Sequence, residues 1–221
     1  MNEIDAFNQK ILMDFLHPHF ESSDNLKNFL SDVFDYKNGP VVKRQMLYQT
    51  LRFVSLANNI EKISPNSDGL KILFLRICLE SLQSLSDCNK NSFILTFVGC
   101  FTAEGKDYIL NHFKLSYFED TYCGLTFDAH YDITELKDIM WLFLAIRNDV
   151  VHNGENWSMQ FFARDEDSIW LTSMETSNKV IEYKFHQSGE KMVEYHFDTT
   201  LNYEKFIFYF VEACINYIRA N

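Results

Sequence analysis

Ile139-Met140-Trp141-Leu142-Phe143-Leu144-Ala145-Ile146, continued directly by Arg147-Asn148-Asp149-Val150-Val151-His152 and then by Asn153-Gly154, is the stretch whose reading decides the fold. A helix that is apolar on every side is stable only where other elements surround it, so a helix from Ile133 to about His152 is expected at the centre of the molecule. Asp132 or Thr134 can cap its start, and Asn153-Gly154 suits its end. The apolar run is far shorter than the roughly 20 residues that a membrane-spanning helix needs.

Working back toward the N-terminus, Leu70, Leu73, Ile77, Leu82 and Leu85 recur at helical spacing, so 70–85 reads as a second long helix, with Arg76 and Glu80 one turn apart on it. Residues 91–115 read as further helix, broken near Gly105, and 116–131 as an aromatic-rich loop. Ser64-Pro65-Asn66-Ser67-Asp68-Gly69 is the strongest loop signal in the chain and a natural boundary. Before it, Ile4 to Leu16, a segment capped by Asp24 and running through Phe34, and Val41 to Ile63 are expected helices, with Gly39-Pro40 between the last two. Toward the C-terminus the texture changes. Met159 to Ala163, Ser168 to Met174, Lys179 to Phe185 and Lys191 to Phe197 alternate like strands, with Gln187-Ser188-Gly189-Glu190 suited to a hairpin turn. Tyr203 to Ile218 returns to helical spacing. The expected fold is therefore mainly α, with helices at 1–66, a main domain over 67–221, and a small antiparallel sheet inserted at about 157–198 before the C-terminal helix.

Composition narrows the function. The 221 residues carry 20 Lys and Arg against 31 Asp and Glu, a formal net charge of −11. No third of the chain is net basic: 7 basic face 9 acidic residues over 1–69, 7 face 12 over 70–155, and 6 face 10 over 156–221. Extended binding to duplex DNA calls for a basic face and is not expected, whereas a short single strand held at one local site remains compatible. The five cysteines, Cys78, Cys88, Cys100, Cys123 and Cys214, are odd in number and never spaced as Cys-x-x-Cys, which argues against a disulfide framework and a structural zinc site. Nothing at the N-terminus reads as a signal peptide, and a cytoplasmic address with no membrane partner is expected. Phosphate-cradling glycine loops, dinucleotide fingerprints and Gly-x-Ser-x-Gly elbows are absent.

Chemistry concentrates at the end of the apolar helix. Arg147 and His152 emerge where it leaves the core; five positions apart, they lie roughly 140° around the axis, so a cleft against another surface would unite them better than the helix itself. Asn148 and Asp149 precede His152 by four and three residues, where an amide could bind a substrate oxygen and a carboxylate could orient the imidazole. Other candidates are weaker. His17 and His19 flank Pro18 without a carboxylate cluster, and His112, His130, His186 and His196 are isolated. Arg44, Tyr48 and Arg52 form a stripe that reads as snorkelling surface, and Asn156-Trp157-Ser158 fits a glycosylation acceptor without other signs of secretion.

Arg147-Asn148, three intervening residues and a helix-terminal His152 followed by Asn-Gly resemble the Arg-x4-6-His motif of the HEPN superfamily, in which the residue after the arginine is often Asn. The resemblance covers the motif and an arrangement: 70–85 as the first long helix, 106–115 as part of the middle, 133–152 as the motif helix and 203–218 as the closing helix. The N-terminal helices and the strands lie outside it. It implies a HEPN-like helical bundle and a metal-independent endoribonuclease with no cofactor, acting as a homodimer whose motif helices meet in one cleft. By that resemblance His152 acts as general acid or base, Arg147 neutralises the phosphate, Asn148 holds the phosphate or the histidine, and Glu80 is a polar partner from the neighbouring helix. RNA would be cleaved through a 2′,3′-cyclic phosphate, in a toxin, phage-defence or RNA-processing setting, with a cognate antitoxin or regulator as a further partner. A non-catalytic helical module for dimerisation or protein binding is the alternative.

Overall fold

A computed structural model describes residues 3–35, 41–65, 67–121, 124–132, 135–152, 154, 161, 170–175 and 193–221. The protein is mainly helical, with eight α-helices among the described residues: α1 (Glu3–Leu16), α2 (Ser23–Val33), α3 (Val41–Asn59), α4 (Asp68–Leu85), α5 (Lys90–Gly99), α6 (Ala103–Asn111), α7 (Leu136–His152) and α8 (Tyr203–Ala220). No helix among these residues is long and apolar enough to cross a membrane.

The helix starts follow side-chain chemistry that the apolar spacing alone does not reveal. Ser22, in extended backbone, caps α2 by accepting from the Asn25 N–H at 3.2 Å, so Asp24, expected as the cap, sits instead in the first turn and pairs with Lys27 at 3.2 Å. Asn89 caps α5 and Asn202 caps α8 in the same way. Residues 91–115, read as helix broken near Gly105, hold α5 and α6 with the break at 100–102, where Thr102 caps α6 by accepting from the Gly105 N–H at 3.1 Å; helix stops at Asn111, and 113–115 belong to an extended segment. Gly105 is there for space: a β-carbon would lie 3.0 Å from the Tyr209 ring and 3.2 Å from Thr102 Oγ1. Asp68 and Gly69 belong to α4 rather than to the loop before it, and 60–62 form a short 3-10 turn after α3.

Helix α7 occupies the centre that its composition demands. Ile139, Met140, Leu142, Phe143, Leu144 and Ile146 are all buried, and α4, α5 and α6 pack against it. Helix α3 lies along α4 and α8 through Met46, Leu47, Thr50, Val54 and Ala57, all buried on one face. Leu12, Leu16, Leu26 and Met46 share a continuous core with Ile72, Ile139 and Phe210. Gly154 lies two residues beyond α7 with φ of 72°, a left-handed backbone that glycine adopts without steric cost and that suits a helix end.

Four extended backbone segments pair antiparallel, β1 (Phe113–Thr121), β2 (Gly124–Asp132), β3 (Trp170–Glu175) and β4 (Val193–Thr199), in the order β2-β1-β4-β3. Two of them, β1 and β2, precede α7, in the region read from sequence as a loop. Leu115 and Tyr117 alternate with Lys114 and Ser116, and the period-two pattern there is short enough to be overshadowed by its aromatic content. The segments expected at 159–163 and 179–185 and the turn at 187–190 lie outside the described residues, Phe161 excepted.

A buried polar latch ties three distant parts of the chain together. Asp68 Oδ2 accepts from the Phe161 N–H at 2.6 Å, and Lys71 Nζ lies 2.6 Å from Asp68 Oδ1 and 3.1 Å from Glu61. Lys71 also sits 4.7 Å from the centre of the Tyr203 ring, whose hydroxyl donates to Asn58 Oδ1 at 2.7 Å. Burial by itself would lower the Lys71 pKa, but the bonds and charges of Asp68 and Glu61 outweigh it and raise the ammonium above its ordinary value. Burial, then the Asp68 charge, pushes the Tyr203 phenol up.

The aromatic core offers a direct test of packing. Phe97 is fully buried, with ring centres 5.8 Å from Phe93, 5.6 Å from Phe101 and 5.8 Å from Phe210. Phe97→Ala should lower unfolding free energy in urea by about 3–5 kcal/mol. A loss below 1 kcal/mol would show that these rings do not form the packed centre.

Candidate functional site

The C-terminal half of α7 carries the site, because the apolar surround that buries Ile146 and Val150 leaves the intervening polar residues at its edge. Arg147 is partly buried, its side chain 27% exposed, and it is held from two sides. Its Nη1 donates to Asn148 Oδ1 at 3.0 Å, and its Nη2 reaches Glu80 Oε2 on α4 at 3.4 Å. The polar partner expected from the neighbouring helix is thus in contact. His152 is exposed in the last turn of α7, and among the described residues no hydrogen bond or ion pair joins it to Arg147, Asn148 or Glu80. The Asp149 side chain lies outside the described residues.

Sequence reading missed how much positive charge gathers here. Arg76, which the sequence sets one turn before Glu80, is only 1% exposed, and its Nε stands 3.6 Å from Glu80 Oε1, beyond hydrogen-bonding reach. Among the described residues, its Nε and Nη1, together with Arg147 Nε, are buried without a hydrogen-bond partner. Burial lowers the Arg76 pKa; Glu80 opposes this and Arg147 adds to it. Lys90, at the first turn of α5, lies 5.3 Å over the Trp141 ring of α7. Burial pushes its ammonium down, and so do Arg76 and Arg147, while Glu80 pulls it up. Arg76 and Arg147 thus share the Glu80 carboxylate, with Lys90 close by on the Trp141 side, in a chain whose net charge is −11. Arg76 was legible in part: it falls four residues after Ile72 and three before Leu79, on a buried face of α4. Lys90 comes from another helix, and no local pattern announces it.

Of the remaining candidates, His19 and His112 make contacts within the fold, and the side chains of His130, His186 and His196 lie outside the described residues. His19 ends a 3-10 turn and stacks on Phe208 of α8, ring centres 4.7 Å apart. His112 Nδ1 is 2.7 Å from the Tyr108 carbonyl oxygen. In the Arg44, Tyr48 and Arg52 stripe, Tyr48 meets Phe34 edge-on and the Arg52 guanidinium lies 5.4 Å from the Phe53 ring centre. Cys78, Cys88, Cys100 and Cys214 are free thiols, and burial pushes Cys214 well above its ordinary value. Residues 156–158 lie outside the described residues. Among the described residues, no three His, Cys, Asp or Glu side chains are grouped to hold a metal ion. A cleft of about 570 Å³ lies between the 3-10 turn at 17–19, α2 and α8, lined in part by His19, Phe29, Asn216 and Arg219. None of its walls comes from α4 or α7.

Comparison of the chain with protein-family models, with characterised proteins and with solved structures finds no match.

His19 gives the fold a pH dependence whose sign can be worked out. Burial holds its pKa at about 4 against 6.5 for the free side chain, so between these values the unfolded chain binds a proton that the folded chain does not. Its contribution is fully present above pH 6.5 and is lost as pH falls toward about 4. The melting temperature should therefore fall on acidification from pH 7 to pH 4, and His19→Phe should fall less. Parallel profiles for the two proteins would remove His19 as a source.

Proposed function

We propose that the protein is a HEPN-like, metal-independent endoribonuclease that cleaves RNA through a 2′,3′-cyclic phosphate, with Arg147 and His152 as its catalytic pair. What carries this reading is one observation: toward its C-terminal end a buried helix holds an arginine anchored by its neighbour Asn148 and by Glu80 of α4, with an exposed histidine in its last turn. Catalysis of this kind needs a group that can exchange a proton near neutral pH and a fixed cation that meets the growing phosphate charge. A solvent-accessible imidazole suits the first task and a guanidinium fork the second.

In this reading α4, α6, α7 and α8 correspond to the HEPN-like bundle, residues 1–66 are an extension, and 157–198 an insertion before the closing helix. His152 takes the 2′-hydroxyl proton, or returns one to the leaving 5′-oxygen, while Arg147 faces the phosphate between them. Because no contact ties His152 to Arg147 along α7, a homodimer that brings a second motif helix alongside would complete the pair. A toxin, phage-defence or RNA-processing role, a cognate antitoxin or regulator, and a cytoplasmic setting belong to the same proposal.

A second reading, a non-catalytic module that dimerises or binds a protein partner, draws support from Val151. This aliphatic side chain is 49% exposed beside His152, at the end of α7 where such a partner would meet the motif helix.

Cleavage of mixed single-stranded and structured RNA in EDTA separates the two. The wild type should produce cyclic-phosphate ends, and His152→Ala and Arg147→Ala should each lose about 100-fold or more in rate. Equal activity in all three would move the nuclease elsewhere or to a contaminant. A folded dimer that cleaves nothing would favour the binding module.

A further inference from the structure

We infer that Arg76, Arg147 and Lys90 form a binding subsite for a phosphate group, in which the Glu80 carboxylate stands as an internal substitute that the ligand displaces. The inference takes its substrate class, RNA, from the ribonuclease reading, and adds to it the place where one phosphate of the strand is gripped.

The geometry is that of an under-satisfied anion site. Arg76 is only 1% exposed, yet among the described residues its Nε and Nη1 find no hydrogen-bond acceptor. A buried donor left unmade costs about 1–3 kcal/mol, and more when the group is charged, so such a guanidinium is rarely retained without an occupant for its fork. The carboxylate that the described residues place beside it, Glu80, does not fill the role. Glu80 is divided between two guanidinium groups, 3.6 Å from Arg76 Nε and 3.4 Å from Arg147 Nη2, both longer than a charge-assisted hydrogen bond of about 2.7–2.9 Å. Arg147 Nε is likewise buried and unpaired.

A tetrahedral oxyanion matches what the carboxylate leaves unmet. It presents three or four oxygens rather than two, and can take parallel bonds from one guanidinium fork while meeting a second. Lys90, exposed at the start of α5, supplies a third positive charge from the solvent side. Glu80 is itself 34% exposed in its side chain, so it can swing to water on a flexible stem when a phosphate arrives. Arg76 stays fixed on the buried face of α4, and Arg147 stays anchored by Asn148. The locality of the site reconciles phosphate binding with an acidic protein: positive charge is concentrated at one point instead of spread over a face.

The test follows the arginine Nε–H resonances of the full-length, 15N-labelled protein during titration with inorganic phosphate at constant ionic strength, with chloride as the control anion. A 2′-O-methyl tetranucleotide, which cannot be cleaved through its 2′-oxygen, serves as the second probe. Saturable shifts of the Arg76 and Arg147 signals are expected with both probes and not with chloride. Glu80→Gln, which removes the competing charge, should tighten phosphate binding about tenfold, and the exposed Lys90→Gln should weaken it several-fold. Unmoved Arg76 and Arg147 signals, or phosphate affinity unchanged in both variants, would overturn the inference; should Glu80→Gln fail to fold, Lys90→Gln decides alone. RNA cleavage without phosphate binding at Arg76 would sink the subsite and leave the nuclease, whereas phosphate binding without cleavage would do the reverse.

Discussion

The burial of α7 is the constraint from which the rest of the structure follows. A helix whose residues 139–146 are apolar on every side has to be enclosed, and one sheet face or one helix cannot do it. Helices α4, α5 and α6 pack against it, while Phe143 meets Phe206 of α8 with ring centres 5.4 Å apart. Helix α3 then covers α4 and α8 from outside. Enclosure also decides where polar chemistry can emerge. Only past Ile146 does α7 present Arg147 and Asn148 at an edge and His152 to solvent.

Electrostatics at that edge differs from that of the surface as a whole. An overall charge of −11 repels polyanions at long range, but the field close to Arg76, Arg147 and Lys90 is set by those three cations and Glu80. Interactions of exposed charges fade beyond about 8 Å in physiological salt, whereas partly buried ones are screened less. A locally cationic site on an acidic protein is therefore consistent physics. The latch of Asp68, Lys71 and Glu61 illustrates the contrasting case. There the carboxylates outnumber the ammonium, the hydrogen bonds are short, and the result is a clamp between α4, Phe161 and α8.

Much of the architecture was legible from local signals. The spacing in 4–16, 70–85, 133–152 and 203–218 anticipates α1, α4, α7 and α8 to within a few residues, because period-3.6 burial is written directly into the order of apolar side chains. Boundaries were less so. The α2 cap went to Ser22 rather than Asp24, since capping depends on which side chain reaches a free N–H and not on which residue types are present. The break expected near Gly105 falls at 100–102, set by the Thr102 cap. Gly105 itself leaves room for the Tyr209 ring of α8, whose hydroxyl donates to Glu104.

At the candidate site the same division holds. Sequence alone determined that α7 is central, that Arg147, Asn148 and His152 stand at its end, and that no third of the chain is net basic, because each of these depends on neighbours along one chain segment or on composition. Only the tertiary structure decided that Glu80 meets Arg147, that Arg76 is buried with two nitrogens lacking a hydrogen-bond partner among the described residues, and that Lys90 lies nearby over Trp141. Those relations cross from α4 to α5 to α7. A side chain's desolvation and its charge partners are properties of the space around it, and that space exists only once the helices have packed.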